Sequence, residues 1–368
     1  MKNFDEVFED RTKYGTKIKT SEYQKRGKYA IIDQGQEQIS GYTDIEEGLF
    51  EDVPVIIFGD HTRVVKYVDE PFFLGADGVK VLKSKYIDAN YRYLYYALKN
   101  VPIPNTGYNR HFKWLKEVKI KYPSQEKQKN IVRVLDNLSN IINKRQKELL
   151  QFDNLIKARF VEMFGDPLEN KKSWKILNAG EICTITDGSH FSPEGIEKGY
   201  PMLSVKNMRN DGFHYENCKF ISQENYDVLV KQGCKPLKND VLIAKDGSYF
   251  YYGFVVKKER EQAILSSIAI LRPDLTQVLP EYLCKYMLST EIVKLVGRNY
   301  VTGAAIKRVI LKGIKQIPVM LPPLELQQEF SDFVNQVDKS KVAVQINKDT
   351  TQELLITYIF IINKCCYK

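Results

Sequence analysis

Gly107-Tyr-Asn-Arg-His-Phe-Lys-Trp-Leu115-Lys-Glu-Val-Lys-Ile-Lys-Tyr-Pro123-Ser-Gln-Glu126-Lys-Gln128 ends a strand-like run at a proline and then opens a long helix. Near the other end the passage returns as Gly303-Ala-Ala-Ile-Lys-Arg-Val-Ile-Leu311-Lys-Gly-Ile-Lys-Gln-Ile-Pro-Val-Met-Leu-Pro322-Pro-Leu-Glu325-Leu-Gln327. The glycines lie 196 residues apart (107 to 303) and the prolines 199 (123 to 322), so a three-residue insertion separates the two anchors. Self-similarity at a fixed period means a duplicated structural unit, and it governs the reading of the rest.

Upstream, two further pairs follow in the same order. Asp60 of Phe-Gly-Asp-His is matched to Asp246 of Ala-Lys-Asp-Gly, each after an apolar run, Val55-Ile-Ile-Phe58 and Val241-Leu-Ile-Ala244. Tyr93-Leu94 is matched to Tyr282-Leu283, each at the start of a short helix rich in Tyr and Leu. The slow drift in offset is what small loop insertions produce.

Each repeat ends in a long helix that begins after a proline, a common helix opener. In the first, Ile131, Leu135, Leu138, Ile142, Leu149, Phe152 and Ile156 alternate steps of four and three, with Arg145 as the polar interruption. That is a heptad seam, the pattern of a helix packed along another helix. A helix from Glu126 to Met163 is roughly 57 Å long at ~1.5 Å per residue. Shifting the register by 199 places Phe330, Val334, Val337, Val344 and Leu355 on a matching seam, while Lys341, Lys348 and Thr351 break it. Val342, Val344 and Ile346 alternate with polar residues, a strand-like pattern, so the distal helix is less firmly specified than the central one. An amphipathic helix lying on its own domain is the alternative for either seam.

The segments before the helices read as compact, mainly β units. Tyr29-Ala-Ile-Ile32, Arg63-Val-Val-Lys-Tyr-Val68 and Phe250-Tyr-Tyr-Gly-Phe-Val-Val256 carry β-branched and aromatic residues between Gly, Asp and Pro breaks. With 368 residues and 43% apolar content the chain can bury more than one core. Its formal charge of +9 favours a polyanionic partner without requiring one. The six cysteines show no CxxC spacing, and a reducing cytoplasm fits them best. The acidic, polar stretch from Met1 to Arg11 lacks the order of a signal peptide, and the apolar run Leu354 to Ile362 is far short of the ~20 residues that span a bilayer.

No motif carries chemistry. The sequence contains no GxxxxGK[ST] loop, no GxGxxG after a strand, no HExxH and no metal-ligand cluster of Cys and His. His61, His111, His190 and His214 are scattered, and the Asp60-His61 pair is not repeated at Asp246-Gly247. An active site shared by the repeats would keep its histidine.

Two units of this size, each closing in a strand, then Pro-x-x-Glu-x-Gln, then a long helix, resemble the specificity (S) subunit of type I restriction–modification systems over nearly the whole chain. Leu155-Ile-Lys-Ala-Arg-Phe-Val-Glu-Met-Phe-Gly165-Asp-Pro167 resembles that family's junction between the first helix and the second domain. The resemblance implies an α+β fold with two pseudo-repeated, β-rich target-recognition domains separated by two long antiparallel coiled-coil helices. It places the domains at residues 1–123 and 166–322, the central spacer helix at 124–165 and the distal one at 323–363. Each domain would bind half of a bipartite double-stranded DNA target while the helices set the gap. Two methyltransferase (M) subunits and the motor-nuclease (R) subunits would be the partners, with no membrane. S-adenosylmethionine, ATP and Mg would reside on those subunits, leaving none in this non-catalytic chain.

Base-edge readout calls for Arg, Lys, Asn and Gln on loops. The candidates are Gln34, Gln36, Arg63, Asn109 and Arg110 in the first domain, and Lys206, Asn207, Arg209, Asn210, Lys245 and Lys307 in the second. Two departures stand out. Little precedes Phe4-Asp-Glu-Val, whereas Trp174-Lys-Ile-Leu-Asn-Ala-Gly180 precedes Glu181, and the tail lacks the closure seen at Met163-Phe-Gly165. An orphan or tail-altered DNA-binding relative that competes with a complete specificity subunit is therefore the other reading.

Overall fold

In the computed structural model, the structure describes residues 1–75, 77–99, 101–107, 109–303 and 307–363. Tyr108 and residues 304–306 of the repeated passage, and the tail cysteines Cys365 and Cys366, lie outside them. The chain divides into two units. The first joins Met1–Lys147 to the stretch that begins at Val344, and the second is Glu148–Ala343.

The first unit holds strands β1 (Lys2–Asn3), β2 (Phe8–Asp10), β3 (Tyr29–Ile32), β4 (Gly41–Thr43), β5 (Val55–Gly59), β6 (Val65–Val68), β7 (Phe72–Leu74), β8 (Val79–Ser84) and β9 (Lys119–Ile120). Short helices α1 (Phe4–Val7), α2 (Tyr91–Leu98) and α3 (Phe112–Lys116) accompany them, and α4 (Gln125–Phe164) follows β9. A four-stranded sheet in the order β2-β8-β5-β6 carries a smaller sheet in the order β4-β3-β7, in which β3 and β7 run parallel. β5 is buried throughout, which its unbroken Val-Ile-Ile-Phe run anticipates. Its alternate side chains serve two cores. Ile56 and Phe58 pack with Leu82 under Tyr93, Leu94 and Leu98 of α2, whereas Val55 and Ile57 pack with Ile32, Phe72 and Leu74 of the small sheet.

The second unit repeats this plan through β10 (Lys175–Asn178), β11 (Cys183–Asp187), β12 (Tyr200–Leu203), β13 (Met208–Arg209), β14 (Gly212–Phe213), β15 (Lys219–Ile221), β16 (Val241–Ala244), β17 (Gly253–Val255), β18 (Ala263–Ile264), β19 (Ile268–Pro273), β20 (Val301–Thr302), β21 (Arg308–Val309) and β22 (Pro318–Leu321). Its helices are α5 (Ala179–Ile182), α6 (Gln223–Lys231), α7 (Pro280–Met287), α8 (Thr290–Asn299), α9 (Leu311–Lys315) and α10 (Leu324–Asn363). The sheet orders β11-β19-β16-β17 and β15-β12-β18 reproduce those of the first unit, including the parallel β12–β18 pair. Among the described residues, the β13–β14 hairpin, α6, α8 and the β20–β21 pair have no counterpart in the first unit.

Register corrects one sequence anchor. The backbone N–H of Asp60 bonds to Gly78 and that of Lys245 to Ser267, so Asp60 is equivalent to Lys245 rather than to Asp246. Val241 and Ile243 accordingly face the helix-side core, as Ile56 and Phe58 do. Side-chain alternation fixes register, because a one-residue slip would turn every core residue to the wrong face. The identity of a turn residue does not.

The repeated Gln and Tyr have a physical reason. Gln128 and Gln327 are fully buried, and their amides donate to Pro123 O (2.9 Å) and Pro322 O (2.8 Å), tying the first turn of each long helix to the preceding strand. Tyr93 donates to Lys121 O (2.7 Å) and Tyr282 to Met320 O (2.8 Å), so the same strand-to-helix bond is made twice. Buried polar groups require such partners. Gly107 and Gly303 both sit at positive φ (76° and 92°), which suits glycine at each anchor.

Both long helices are helical over 40 residues. Within the second unit, Ile156, Phe160 and Phe164 pack on Phe330, Val334 and Val337. The Phe160 and Phe164 rings meet Phe330 edge-on, with centroids 5.5 and 5.3 Å apart. The pairs Arg159–Glu329 (2.7 Å) and Lys341–Asp153 (2.6 Å) fix an antiparallel direction. Within the first unit, Leu135 packs with Leu355, Ile359 and Ile362, flanked by Ile131, Leu138 and Ile142. Phe152 lies against the second unit's core and Leu149 is half-buried.

The strand-like alternation at 342–346 is overridden by helix. Val344 is buried while Val342 and Ile346 point outward. The tail packs despite its missing closure, because Ile359 and Ile362 stand 199 residues after Phe160 and Met163 and keep the seam apolar. Met163-Phe-Gly165 itself is a helix stop: Gly165 takes φ 84°, and the Trp174 indole and Lys172 ammonium donate to the last carbonyls. The opening strand is two residues long in the first unit and four in the second, yet both pair with the strand that precedes a long helix.

Ile359→Ala removes a fully buried side chain and is expected to cost about 2–5 kcal/mol, whereas Ile346→Ala stays within about 0.5 kcal/mol. Paired calorimetric melts check this; equal melting temperatures would place the tail helix outside the core.

Candidate nucleic-acid interface

The sequence candidates lie in the loops after β3, β5, β12 and β16, in the β13–β14 hairpin, and in the segments just before α3 and β21. In the first unit the turn after β5 sits beside the loop after β3. Gln34 uses its whole amide there, with Nε2 donating to Asp77 O (2.9 Å) and Oε1 accepting from the His61 N–H (3.1 Å), while Thr62 Oγ1 donates to Gln34 O (2.6 Å). Gln34 thus clamps three loops. Arg63 adopts φ 62° and donates to Ile103 O (3.2 Å). His111 and Phe112 are held by Asp60, whose carboxylate accepts the Phe112 N–H (2.7 Å) at the start of α3. That gives Asp60 a capping role. Asn109 turns back to Thr106 O, whereas Gln36 and Arg110 are exposed. Asp77 beside them is held below the ordinary carboxylate range, chiefly by its bond from Lys17 and further by Arg110.

Lys66 of β6 reaches under the same loops. Its side chain is 2% exposed and its ammonium lies 3.6 Å from Asp33, the residue before Gln34. Burial pushes its pKa down and Asp33 draws it back. The ion pair anchors the loop that carries Gln34 and Gln36.

In the second unit, Lys206 is exposed on the segment between β12 and the β13–β14 hairpin, and Arg209 is exposed in β13 itself. Asn207 is occupied in accepting from the Ser204 N–H (3.2 Å), and Asn210 accepts from the Gly253 N–H (3.1 Å). Arg209 also lies over the Tyr252 ring at 5.6 Å. Lys307 is exposed, and its carbonyl accepts from the Gly247 N–H (2.8 Å), which brings the residue before β21 against the loop after β16. An opening of about 250 Å³ there is lined by Gly247, Ser248, Tyr249, Tyr251 and Tyr252. Lys245 is buried in ion pairs with Asp187 (3.3 Å) and Asp246 (3.5 Å). Its ammonium braces the loop instead of facing solvent.

Of the eleven candidates, Gln36, Arg110, Lys206 and Lys307 are presented outward, whereas Gln34, Arg63, Asn109, Asn207, Arg209, Asn210 and Lys245 spend side-chain groups on bonds within their own unit. The loop between β2 and β3 also carries exposed Lys13, Lys19, Lys25 and Arg26. Unanticipated is a cleft of about 540 Å³ beside α2, lined by Tyr67, Arg92, Tyr96, Ser139, Asn143 and Gln352. Arg92 pairs there with Asp136 (2.5 Å), and burial together with Asp136 pushes the Tyr96 hydroxyl up to about 12. Among the described residues no group of three or more His, Cys, Asp or Glu could hold a metal ion, and no helix is long and apolar enough to cross a membrane.

Relatives agree with this architecture. The chain is 23% identical over 359 residues to the Escherichia coli type I restriction enzyme EcoR124I/EcoR124II specificity subunit, covering 90% of this chain and 84% of that protein. It is 27% identical over 182 residues to the MjaVIII specificity subunit of Methanocaldococcus jannaschii, covering 49% and 39%. The fold matches the crystal structure of the S subunit of a type I restriction–modification system from M. genitalium, with TM-score 0.55, 17% identity and coverage of 98% and 95%. The family described as the type I restriction modification DNA specificity domain matches residues 1–151 and 171–355. With both repeats matched, the chain belongs to the type I restriction–modification DNA specificity family.

Proposed function

We propose that this chain is the DNA-reading specificity subunit of a type I restriction–modification assembly, with residues 1–123 and 166–322 as its two target-recognition domains. The observation that carries the reading is the repeat itself: equivalent sheets present their exposed polar loops at equivalent strand ends, before long helices whose apolar faces pack together within each unit. Each domain reads one half of a bipartite duplex site. The spacer helices fix the gap, because a second half-site is met at high effective concentration only at the right separation. Good bidentate base contacts contribute about 1–3 kcal/mol of discrimination each.

The chain is proposed to be non-catalytic and cytoplasmic. Two methyltransferase subunits dock around the helices and hold S-adenosylmethionine, while motor-nuclease subunits hold ATP and Mg. Packing of Leu355, Ile359 and Ile362 supports an assembly-competent distal helix over the orphan competitor.

Co-expression with the methyltransferase is expected to methylate adenines in a split motif of fixed gap, read by genome-wide mapping; methylation without such a motif refutes the proposal. Inserting four residues near Asn140, with four more near Asp349 of the partner helix, adds about 6 Å of helix. The mapped gap should then widen by one or two base pairs at ~3.4 Å per base pair, and an unchanged gap removes the ruler role. Side-chain roles separate by a second measurement. Gln36→Ala and Arg110→Ala should relax the first half-site without lowering the melting temperature. Lys245→Ala strips Asp187 of its buried cation and should cost about 3 kcal/mol of stability.

A further inference from the structure

We propose that the loop between β2 and β3 is a sequence-independent phosphate clamp, so that the first domain supplies most of the electrostatic grip on DNA and the second relies more on its reading loops. The inference rests on the DNA-binding reading above and adds the chemistry of the contact, the phosphodiester backbone.

Residues 11–28 hold seven Lys and Arg (Arg11, Lys13, Lys17, Lys19, Lys25, Arg26 and Lys28) against a single acid, Glu22. Three of the cations are neutralised within the unit: Arg11 by Glu9, Lys17 by Asp77 and Lys28 by Glu46. Among the described ion pairs, Lys13, Lys19, Lys25 and Arg26 have no carboxylate, and all four are exposed. The equivalent loop of the second unit, residues 188–199, has one lysine, Lys198, against Glu194 and Glu197. A merely solubilising charge would not need to be confined to one repeat.

The loop is also built to present its charge. Ile18 is buried with Ile31 and Phe73, and Tyr23 and Tyr29 pack on the same cluster. Backbone bridges join Lys17 to Leu74 and Gln24 to Tyr42. Little loop entropy is left to lose on binding. Lys17 reaches Asp77 (2.6 Å), and Asp77 O holds Gln34, so the cations border the loops that carry Gln36 and Arg110. Tyr14, 57% exposed with Lys13 4.8 Å from its ring, adds an aromatic face of the kind that packs on sugars. A guanidinium and three ammonium groups on a fixed frame match the spacing-tolerant demand of phosphates, which position a protein but carry no sequence information.

The test is the salt dependence of duplex binding by the full chain, read by anisotropy with a labelled duplex of random sequence and one with the mapped motif. Each phosphate neutralised contributes about 0.9 to the slope of log affinity against log salt. The combined variant Lys13→Gln, Lys19→Gln, Lys25→Gln and Arg26→Gln should flatten that slope by about 3–4 and weaken both duplexes by the same factor. Lys198→Gln should change it by about 1 or less. The charge-preserving set Lys13→Arg, Lys19→Arg, Lys25→Arg and Arg26→Lys should keep the wild-type slope, which separates lost charge from lost fold. A quadruple glutamine variant with the wild-type slope, or one that weakens only the motif duplex, overturns the clamp and leaves the DNA-binding reading intact. A wild-type chain that binds neither duplex overturns that reading, and the clamp with it.

Discussion

Each half of each long helix is buried by a domain core, and every other feature depends on that sharing. In one unit the amino-terminal half of α4 meets the carboxy-terminal half of α10 through Leu135, Leu355, Ile359 and Ile362. In the other, Ile156, Phe160 and Phe164 meet Phe330, Val334 and Val337. Neither repeat completes its core from its own sequence, because each borrows a helix half from the other. An isolated helix of this length would expose its seam, and its stability comes from the apolar face it buries rather than from propensity.

The two cores solve the same problem with different side chains. The second unit closes its seam with a cluster of Phe160, Phe164, Tyr282 and Phe330, whose rings pack edge-on, tilted or stacked. The first uses Ile131, Leu135 and Ile359 around Tyr93. What the two hold in common is the polar fixture: a buried Gln on the proline carbonyl and a Tyr hydroxyl on the strand before it. Buried hydrogen bonds tolerate little change of geometry, while an apolar seam accepts any residue of suitable volume. The fixtures are therefore the parts of the repeat that remain visible in sequence.

Function follows from the opposite property at the other strand ends. Loops there are braced from below by groups that resemble readers in sequence. Gln34 spends its amide on Asp77 and His61, Asn207 on Ser204, and Lys245 its charge on Asp187. That bracing leaves Gln36, Arg110, Lys206 and Lys307 outward on defined backbones, which lowers the ordering cost of any contact they make.

The sequence alone determined the duplication, the β-rich character of each unit, the start of both long helices and the family, because proline, buried Gln and heptad spacing are local signals with local causes. Register went wrong by one residue at Asp246, the distal helix looked strand-like at Val342–Val344–Ile346, and outward polar side chains could not be told from internally bonded ones. Only the tertiary structure decided those points. Which face of β16 is inward, whether Ile359 has a core to enter, and whether Lys245 meets Asp187 or solvent all depend on residues far away in the chain, and a side chain's partners are set by packing rather than by its neighbours in sequence.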